Sequence, residues 1–270
     1  MVFIKIKVID SLMGTGKTMF AINKIKSEPE NKFVYITPYL DEIKRVKEAT
    51  HEYNRMYEPL YKNSTKQENL HKLLKEGKNI CSTHALFQKS NDITREALKA
   101  NSYTLILDEV MDVVEELKDF TKDDLDTLLS EKLAYIEDDY LLWNKDKLDY
   151  DGRYNDIKNM AINKNLICIN DKLLYWNFPV DIFDYFEEVY ILTYMFDCQI
   201  QRYYYDFHNI EYEKYQVENG QLLEYKPERE YDKIIEISKE KNISTNKAAE
   251  RMAEERIQKI GKTKTIYLNK

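Results

Sequence analysis

An α/β architecture, a parallel sheet flanked by helices with an inserted α+β segment, is what this 270-residue sequence predicts. Three observations carry the expectation. Short apolar runs alternate with segments of helical spacing through the first 111 residues, as in strands joined by helical crossovers. Thr104-Leu-Ile-Leu-Asp108 is continuously apolar up to its aspartate, as in a strand covered on both faces. From Asp112 to Asp184 the composition changes, first acidic and then lysine-rich and aromatic, before the buried-strand pattern returns.

The elements follow in order. Val2 to Ile9 alternates apolar residues with lysines, ends at Asp10 and reads as a strand. A Gly-containing loop leads into Met19–Ile25, which has helical spacing. Phe33–Thr37 is a second strand, stopped by Pro38, and Leu40–Tyr53 a charged helix. Asn79–Thr83 and Thr104–Asp108 are the third and fourth strands. Leu166–Trp176 reads as a hairpin turning at Asn170-Asp171, and Glu188–Thr193 as another buried strand. Arg202–Lys226 alternates polar and aromatic residues, as further strands would. Tyr231–Lys262 reads as helix, and Lys264–Leu268 as the start of a strand.

Composition narrows the function classes. With 43% hydrophobic residues and only 6 Gly and 5 Pro, the chain can bury a core and holds few flexible linkers. A net charge of −7 argues against coating nucleic acid by bulk charge, though not against a local basic groove. The three cysteines, Cys81, Cys168 and Cys198, form no CxxC pair, which points away from zinc or disulfide frameworks and toward a reducing compartment. The start MVFIKIKVID is too short and charged for a signal peptide, and no apolar run reaches bilayer length. A cytoplasmic location, the host cytoplasm if phage-encoded, is expected. The 22 tyrosines match the Lys-, Asn- and Ile-rich bias of an AT-rich genome.

Ser11-Leu-Met-Gly-Thr-Gly-Lys-Thr18 carries the chemistry. A GxxxxGK[ST] loop between strand and helix points its backbone amides at phosphates. Here Met13, Gly14, Thr15, Gly16, Lys17 and Thr18 would cradle a nucleotide, with Ser11 where the pattern has glycine. Lys17 would reach the outer phosphates, and the Thr18 hydroxyl would hold magnesium. Asp108 at a strand end suits the same magnesium ion, and the adjacent Glu109 an attacking water. The competing readings are a glycine turn with a chance lysine and an Asp-Glu pair opening a helix.

In this order GTGKT, Tyr35-Ile-Thr-Pro38, Ser82-Thr-His84, Asp108-Glu-Val-Met111 and Leu192-Thr-Tyr194 resemble the first motor lobe of superfamily-two helicases. SLMGTGKT, STHALF, LDEV and ILTYMF look most like phage-type DEAD/DEAH helicases and are similar to viral replication origin-binding helicases. The resemblance covers roughly residues 4–205. It implies a P-loop NTPase fold of RecA type over 1–111 and 185–206, an insertion at 112–184, and a C-terminal extension over 207–270. It implies ATP with Mg2+ as cofactor, Lys17, Asp108 and Glu109 as catalytic residues, and Thr18 and Asp108 as metal ligands. Thr37, Pro38 and Thr83 match positions that grip a nucleic-acid backbone, with Ser82 beside them, and Thr193 the position coupling hydrolysis to that grip. For these positions strand-end packing is the rival reading, and for His84 a structural role is preferred. The implied partners are DNA, with RNA also open, and replication or recombination proteins, and no membrane. Oligomeric state stays open.

The sequence departs from that family in three ways. Thr193-Tyr-Met195 stands where Ser-Ala-Thr is common. The insertion is long; its Trp143, Tyr150, Tyr154, Tyr175 and Trp176 suit either base stacking or core packing. The family also needs a second lobe with an arginine completing the site, whereas 64 residues follow Asp206 and show no such motif. Arg251 and Arg256 lie on a charged helix and are not given that role. The expectation is a piece of a larger helicase or a single-lobed relative. The stretch Asn242–Arg256 reads as a solvated linker helix in preference to a helix-turn-helix DNA reader. Two other functions remain open: a nucleotide-gated binding module acting through a protein partner, and a nucleoside or nucleotide kinase, which lacks its expected arginine cluster.

Overall fold

A computed structural model of the protein describes residues 6–61, 65–170, 172–226, 228–248 and 250–252. The strand expected at Lys264–Leu268 and the helix beyond 252 lie outside the described residues, as does Arg256.

The chain runs β1 (Ile6–Asp10), α1 (Lys17–Ser27), β2 (Lys32–Thr37), α2 (Leu40–Thr50), β3 (Met56–Tyr57), α3 (Lys66–Lys75), β4 (Asn79–Thr83), α4 (His84–Phe87), α5 (Asp92–Lys99) and β5 (Tyr103–Asp108). An inserted unit follows: β6 (Val114–Glu116), α6 (Lys122–Ser130), β7 (Ala134–Glu137), β8 (Tyr140–Trp143), α7 (Asn155–Ile162), β9 (Leu166–Ile169) and β10 (Leu173–Asn177). The chain then returns through β11 (Phe186–Thr193), α8 (Ile200–Phe207), β12 (Tyr212–Glu218), β13 (Gln221–Glu224) and α9 (Glu228–Lys241).

The result is a mixed α/β protein with two sheets. The main sheet has the order β13-β12-β1-β11-β5-β2-β4-β3. All its pairings are parallel except β12 with β13. Alternation along each strand sends residues to opposite faces. Ile9, Phe33, Tyr35, Ile106 and Leu192 pack with Ala21, Ile22 and Ile25 of α1 and Ile43 and Val46 of α2. Val8, Ile36, Leu105, Leu107 and Ile191 pack with Leu70, Leu74, Leu98, Tyr204 and Tyr205 on the other face. The central strands β5 and β11 are covered on both sides, which is why their sequence is continuously apolar.

The second sheet, β6-β10-β9-β8-β7, belongs to the insertion and is antiparallel. It has its own core of Leu125, Leu128, Leu141, Trp143, Leu166 and Leu174. Its entry and exit meet where Phe178 N donates to the Val113 carbonyl at 2.8 Å. The expected hairpin forms as β9 and β10, with Asn170 in the left-handed region at φ 53°.

Two expectations change. Residues 200–207 are helical, because Gln201, Tyr204 and Tyr205 share one buried face at helical spacing. The sheet also continues past residue 206: β12 pairs in parallel with β1, with Val8 beside Lys214. A boundary at 206 therefore cuts through the main sheet.

Candidate functional site

Topology picks out one place before any motif is considered. From β1 the chain passes through α1 to β2 on one side, whereas from β11 it passes through α8 to β12 on the other. The connections diverge between β1 and β11, and open parallel sheets bind ligands outside the carboxyl ends of strands at such a point. The strand ends there are polar: Asp10 on β1, Thr193 on β11, Asp108 on β5, Thr37 on β2 and Thr83 on β4. Register sets Asp10 beside Thr193 and Asp108 beside Leu192.

The glycine loop leaves β1 at this point. Gly14 and Gly16 have φ 77° and 97°, conformations that a side chain opposes. Gly16 is tight for a second reason, since a Cβ there would lie 3.0 Å from Gly220 N in the β12–β13 turn. Ser11 is buried, and its hydroxyl accepts from Val217 N at 2.7 Å. The serine thus fastens the loop to β12, a bond that glycine cannot make. Thr15 Oγ1 donates to the Leu12 carbonyl at 2.9 Å. Lys17, 8% exposed, donates to the carbonyls of Ser11 at 2.6 Å and Leu12 at 3.2 Å. Met13 and Gly14 are exposed, and Thr18 is half-buried in the first turn of α1.

Asp108 is buried at the end of β5, and Tyr35 Oη donates to its Oδ2 at 2.5 Å. Burial pushes the Asp108 carboxyl up to about 6, with the Tyr35 hydrogen bond opposing the rise. Burial and the neighbouring Asp108 charge raise the Tyr35 phenol. Glu109 is half-buried and left-handed at φ 70°, and its N–H donates to the Leu192 carbonyl at 2.8 Å. A glutamate in that region is a strained residue of the kind found at functional sites.

Several further groups are invisible to a local motif. The Asp10 carboxylate accepts from Met195 N at 2.7 Å and Phe196 N at 3.0 Å, so the end of β1 holds the loop after β11. Burial raises its carboxyl and these two backbone bonds lower it, with a net rise. Gln201 on α8 accepts from Met111 N at 3.1 Å, linking that helix to the segment after Glu109. The His84 ring bonds the Asp108 backbone carbonyl, and burial lowers its pKa to about 4. His84 Nε2 and Thr193 Oγ1 are buried without a hydrogen-bond partner.

The remaining expected residues sit around this edge. Thr37 is fully buried, and its hydroxyl accepts from Tyr39 N at 3.4 Å. Pro38 is exposed, followed by exposed Tyr39 and Leu40. Ser82 is buried and Thr83 half-buried. The aromatic set of the insertion is internal or half-buried. Trp143 lies in the insertion core, with Nε1 donating to the Lys147 carbonyl and the Tyr150 ring 5.4 Å away. Tyr154 Oη donates to Asp124, and Trp176 packs between the insertion core and the main one. Core packing accounts for Trp143, Tyr150, Tyr154 and Trp176. The arginines Arg45, Arg95, Arg153 and Arg202 pair with Glu42, Asp92 and Asp181, Asp124 and Asp206 respectively.

These residues fit a magnesium nucleotide. The loop has the glycine conformations for close phosphate approach, an inward-facing ammonium, an orphaned hydroxyl at Thr193 and a buried carboxylate at Asp108. Among the described residues no three His, Cys, Asp or Glu side chains cluster for a metal, so an ion here would rely on phosphate oxygens as ligands. No described helix is long and apolar enough to cross a membrane.

Comparison with known proteins bears on the insertion first. Residues 114–176 match a family model described as the YonV middle domain, a window that coincides with β6 to β10. Over 242 residues, 85% of this chain, the sequence is 41% identical to the SPbeta prophage-derived uncharacterized protein YonV of Bacillus subtilis (strain 168). The similarity reaches well beyond the inserted unit, and the chain spans 58% of the length of that relative.

Proposed function

We propose that the main sheet of this chain is a P-loop NTPase lobe of RecA type that binds and hydrolyses ATP with magnesium to drive movement on nucleic acid. One observation carries the reading: the glycine loop, Asp108, Glu109 and Thr193 share the carboxyl edge of one parallel sheet at its topological switch point. In this reading the amides of Met13 to Thr18 and the Lys17 ammonium hold the phosphates. Thr18 and Asp108 hold the metal, which when bound draws charge from the phosphoryl oxygens. Tyr35 orients the Asp108 carboxylate, and Glu109 accepts a proton from the attacking water. Lys17 must give up the Ser11 and Leu12 carbonyls to meet a phosphate. The Asp10 clamp on Met195 and Phe196 and the Gln201 bond to Met111 tie the site to the loops at the same edge. Pro38 and Thr83 are the expected nucleic-acid contacts, with Thr37 supporting them from within. Prophage ancestry in a relative agrees with a role in phage replication or recombination.

A second reading, a single-lobed nucleotide-gated module working through a protein partner, draws on the arginines: the four with described ion pairs are each matched by an acidic side chain other than Asp108 or Glu109. The two readings separate in one experiment. Phosphate release by the purified chain should rise with single- or double-stranded DNA. Lys17→Ala should lose nucleotide binding, and Glu109→Gln should keep binding but lose hydrolysis by a factor of about 100 or more. Binding with no hydrolysis under any condition would favour the module. Phosphate transfer to a nucleoside without a DNA effect would replace both with a kinase.

A further inference from the structure

The insertion has an open edge. Strand β6 is the outermost strand of the second sheet, with β10 on one side and no described strand on the other. The bonds that flank it show which way its backbone points. Phe178 N donates to the Val113 carbonyl at 2.8 Å, and Leu117 N to the Leu174 carbonyl at 2.9 Å. Hydrogen-bonded pairs alternate along an antiparallel ladder, so residues 113, 115 and 117 face β10 while the backbone groups of Val114 and Glu116 face outward. The Glu116 carbonyl accepts from Lys118 N at 3.0 Å. The Val114 N–H and C=O and the Glu116 N–H are thereby offered to a further strand, and all three residues of β6 are exposed.

Beside this edge lies a groove of about 820 Å³ between β6, the turn into α6 and helix α7. Its floor is apolar: Leu117, Phe120, Ile157 and Met160 are half-buried and pack on the insertion core. Its rim is acidic, with five carboxylates against two cations. Arg153 is matched by Asp124 at 2.8 Å, and Asp124 also accepts from Tyr154 Oη at 2.9 Å. That leaves Lys118 as the one lining cation against Glu115, Glu116, Asp119 and Asp156, all of them exposed.

Charge selects the occupant. Residues 112–184 hold 18 Asp and Glu against 9 Lys and Arg, so the whole insertion repels a nucleic acid. A second copy would set Glu115 and Glu116 against their own equivalents across the new ladder, and like charges oppose such a pairing. A basic chain is attracted, and a chain in extended form can use both the free backbone groups and the apolar floor.

We propose that the β6 edge and the groove beside it bind an extended basic segment of a partner protein by strand addition. Backbone bonds to Val114 and Glu116 hold the segment. Apolar side chains of the segment enter the groove over Phe120, Ile157 and Met160, and its Lys or Arg residues meet Glu115, Glu116, Asp119 and Asp156 on the rim.

The test uses the whole chain without nucleotide, so its outcome is independent of the ATPase reading. Fluorescence anisotropy at physiological salt follows a labelled peptide of alternating lysine and valine. The wild-type protein should bind it. The same peptide N-methylated throughout keeps its charge and loses its backbone donors, and should bind at least about tenfold more weakly. Glu115→Lys/Glu116→Lys should weaken binding of the unmethylated peptide at least about tenfold, whereas Glu131→Lys/Glu137→Lys, an equal charge change at exposed sites outside the groove, should not. Val114→Pro removes an outward N–H without touching the bonds to β10, and should abolish binding. Thermal melts check the fold of each variant, and if Val114→Pro melts early the methylated peptide decides the same point. Absence of binding by the wild type, equal affinity for the methylated peptide, or equal weakening by the two double variants would overturn the proposal. So would self-association of the protein that the peptide reverses, which would give this face to a second copy.

Discussion

Ser11 shows how a departure from a motif can have a purpose that only the fold discloses. Its hydroxyl meets an amide 206 residues further along the chain, at Val217. Ser11→Gly would restore the usual loop residue yet leave that buried N–H without a partner. A loss of about 1–3 kcal/mol in urea unfolding is expected. His84 and Asp108 supply a pH signature. The His84 imidazole falls from 6.5 to about 4 on folding, so protons favour the unfolded chain and stability rises with pH between about 4 and 6.5. The Asp108 carboxyl rises from 3.8 to about 6, so the folded chain holds the proton longer and stability falls across about the same interval. The two slopes oppose each other. Urea midpoints between pH 4 and 7 should therefore vary little for these groups together. They should fall with pH in His84→Gln and rise in Asp108→Asn. Equal slopes in the two variants would refute the assignment. Lys17, Asp108 and Glu109 were legible in the sequence because their chemistry lies in short local patterns. Asp10, Tyr35 and Gln201 were not, since each acts on a partner from a distant strand or loop.

Among the elements, the β12–β13 hairpin has the closest hold on the loop. Its Asn219-Gly220 turn is left-handed at both residues, the shape that suits a two-residue hairpin, and Gly220 touches Gly16. Substitution should separate the two glycines. Gly220→Ala meets only ordinary contacts at 3.6 Å and should cost about 1 kcal/mol for its backbone alone. Gly16→Ala adds a 3.0 Å approach to backbone and should cost about 2 kcal/mol or more, with loss of nucleotide binding. Thermal melting and nucleotide titration read both. The strands β2, β4, β5 and β11 were legible because buried parallel strands are continuous apolar runs. Helix α8 was not. Its run of tyrosines favours strand by propensity, and burial of Gln201, Tyr204 and Tyr205 on one face overrides that preference.

For the molecule as a whole, the insertion is a separate acidic unit joined to the main sheet by neighbouring ends. Its composition break was legible near residue 112, whereas the adjacency of Val113 and Phe178 is a fact of three dimensions. Replacing residues 114–177 with a short Gly/Ser linker should leave a main sheet that still melts in one cooperative transition. Loss of that transition would show that the sheet needs the insertion to fold. Loop closure over so short a gap costs little. The meeting of Phe178 with Val113 has a consequence for inheritance. A segment whose two ends lie side by side can be gained or lost in one recombination event without disturbing the reading of the strands on either side. Chains related to this one should then fall into two sets, with and without the segment, and both should keep the glycine loop and the strand-end carboxylates.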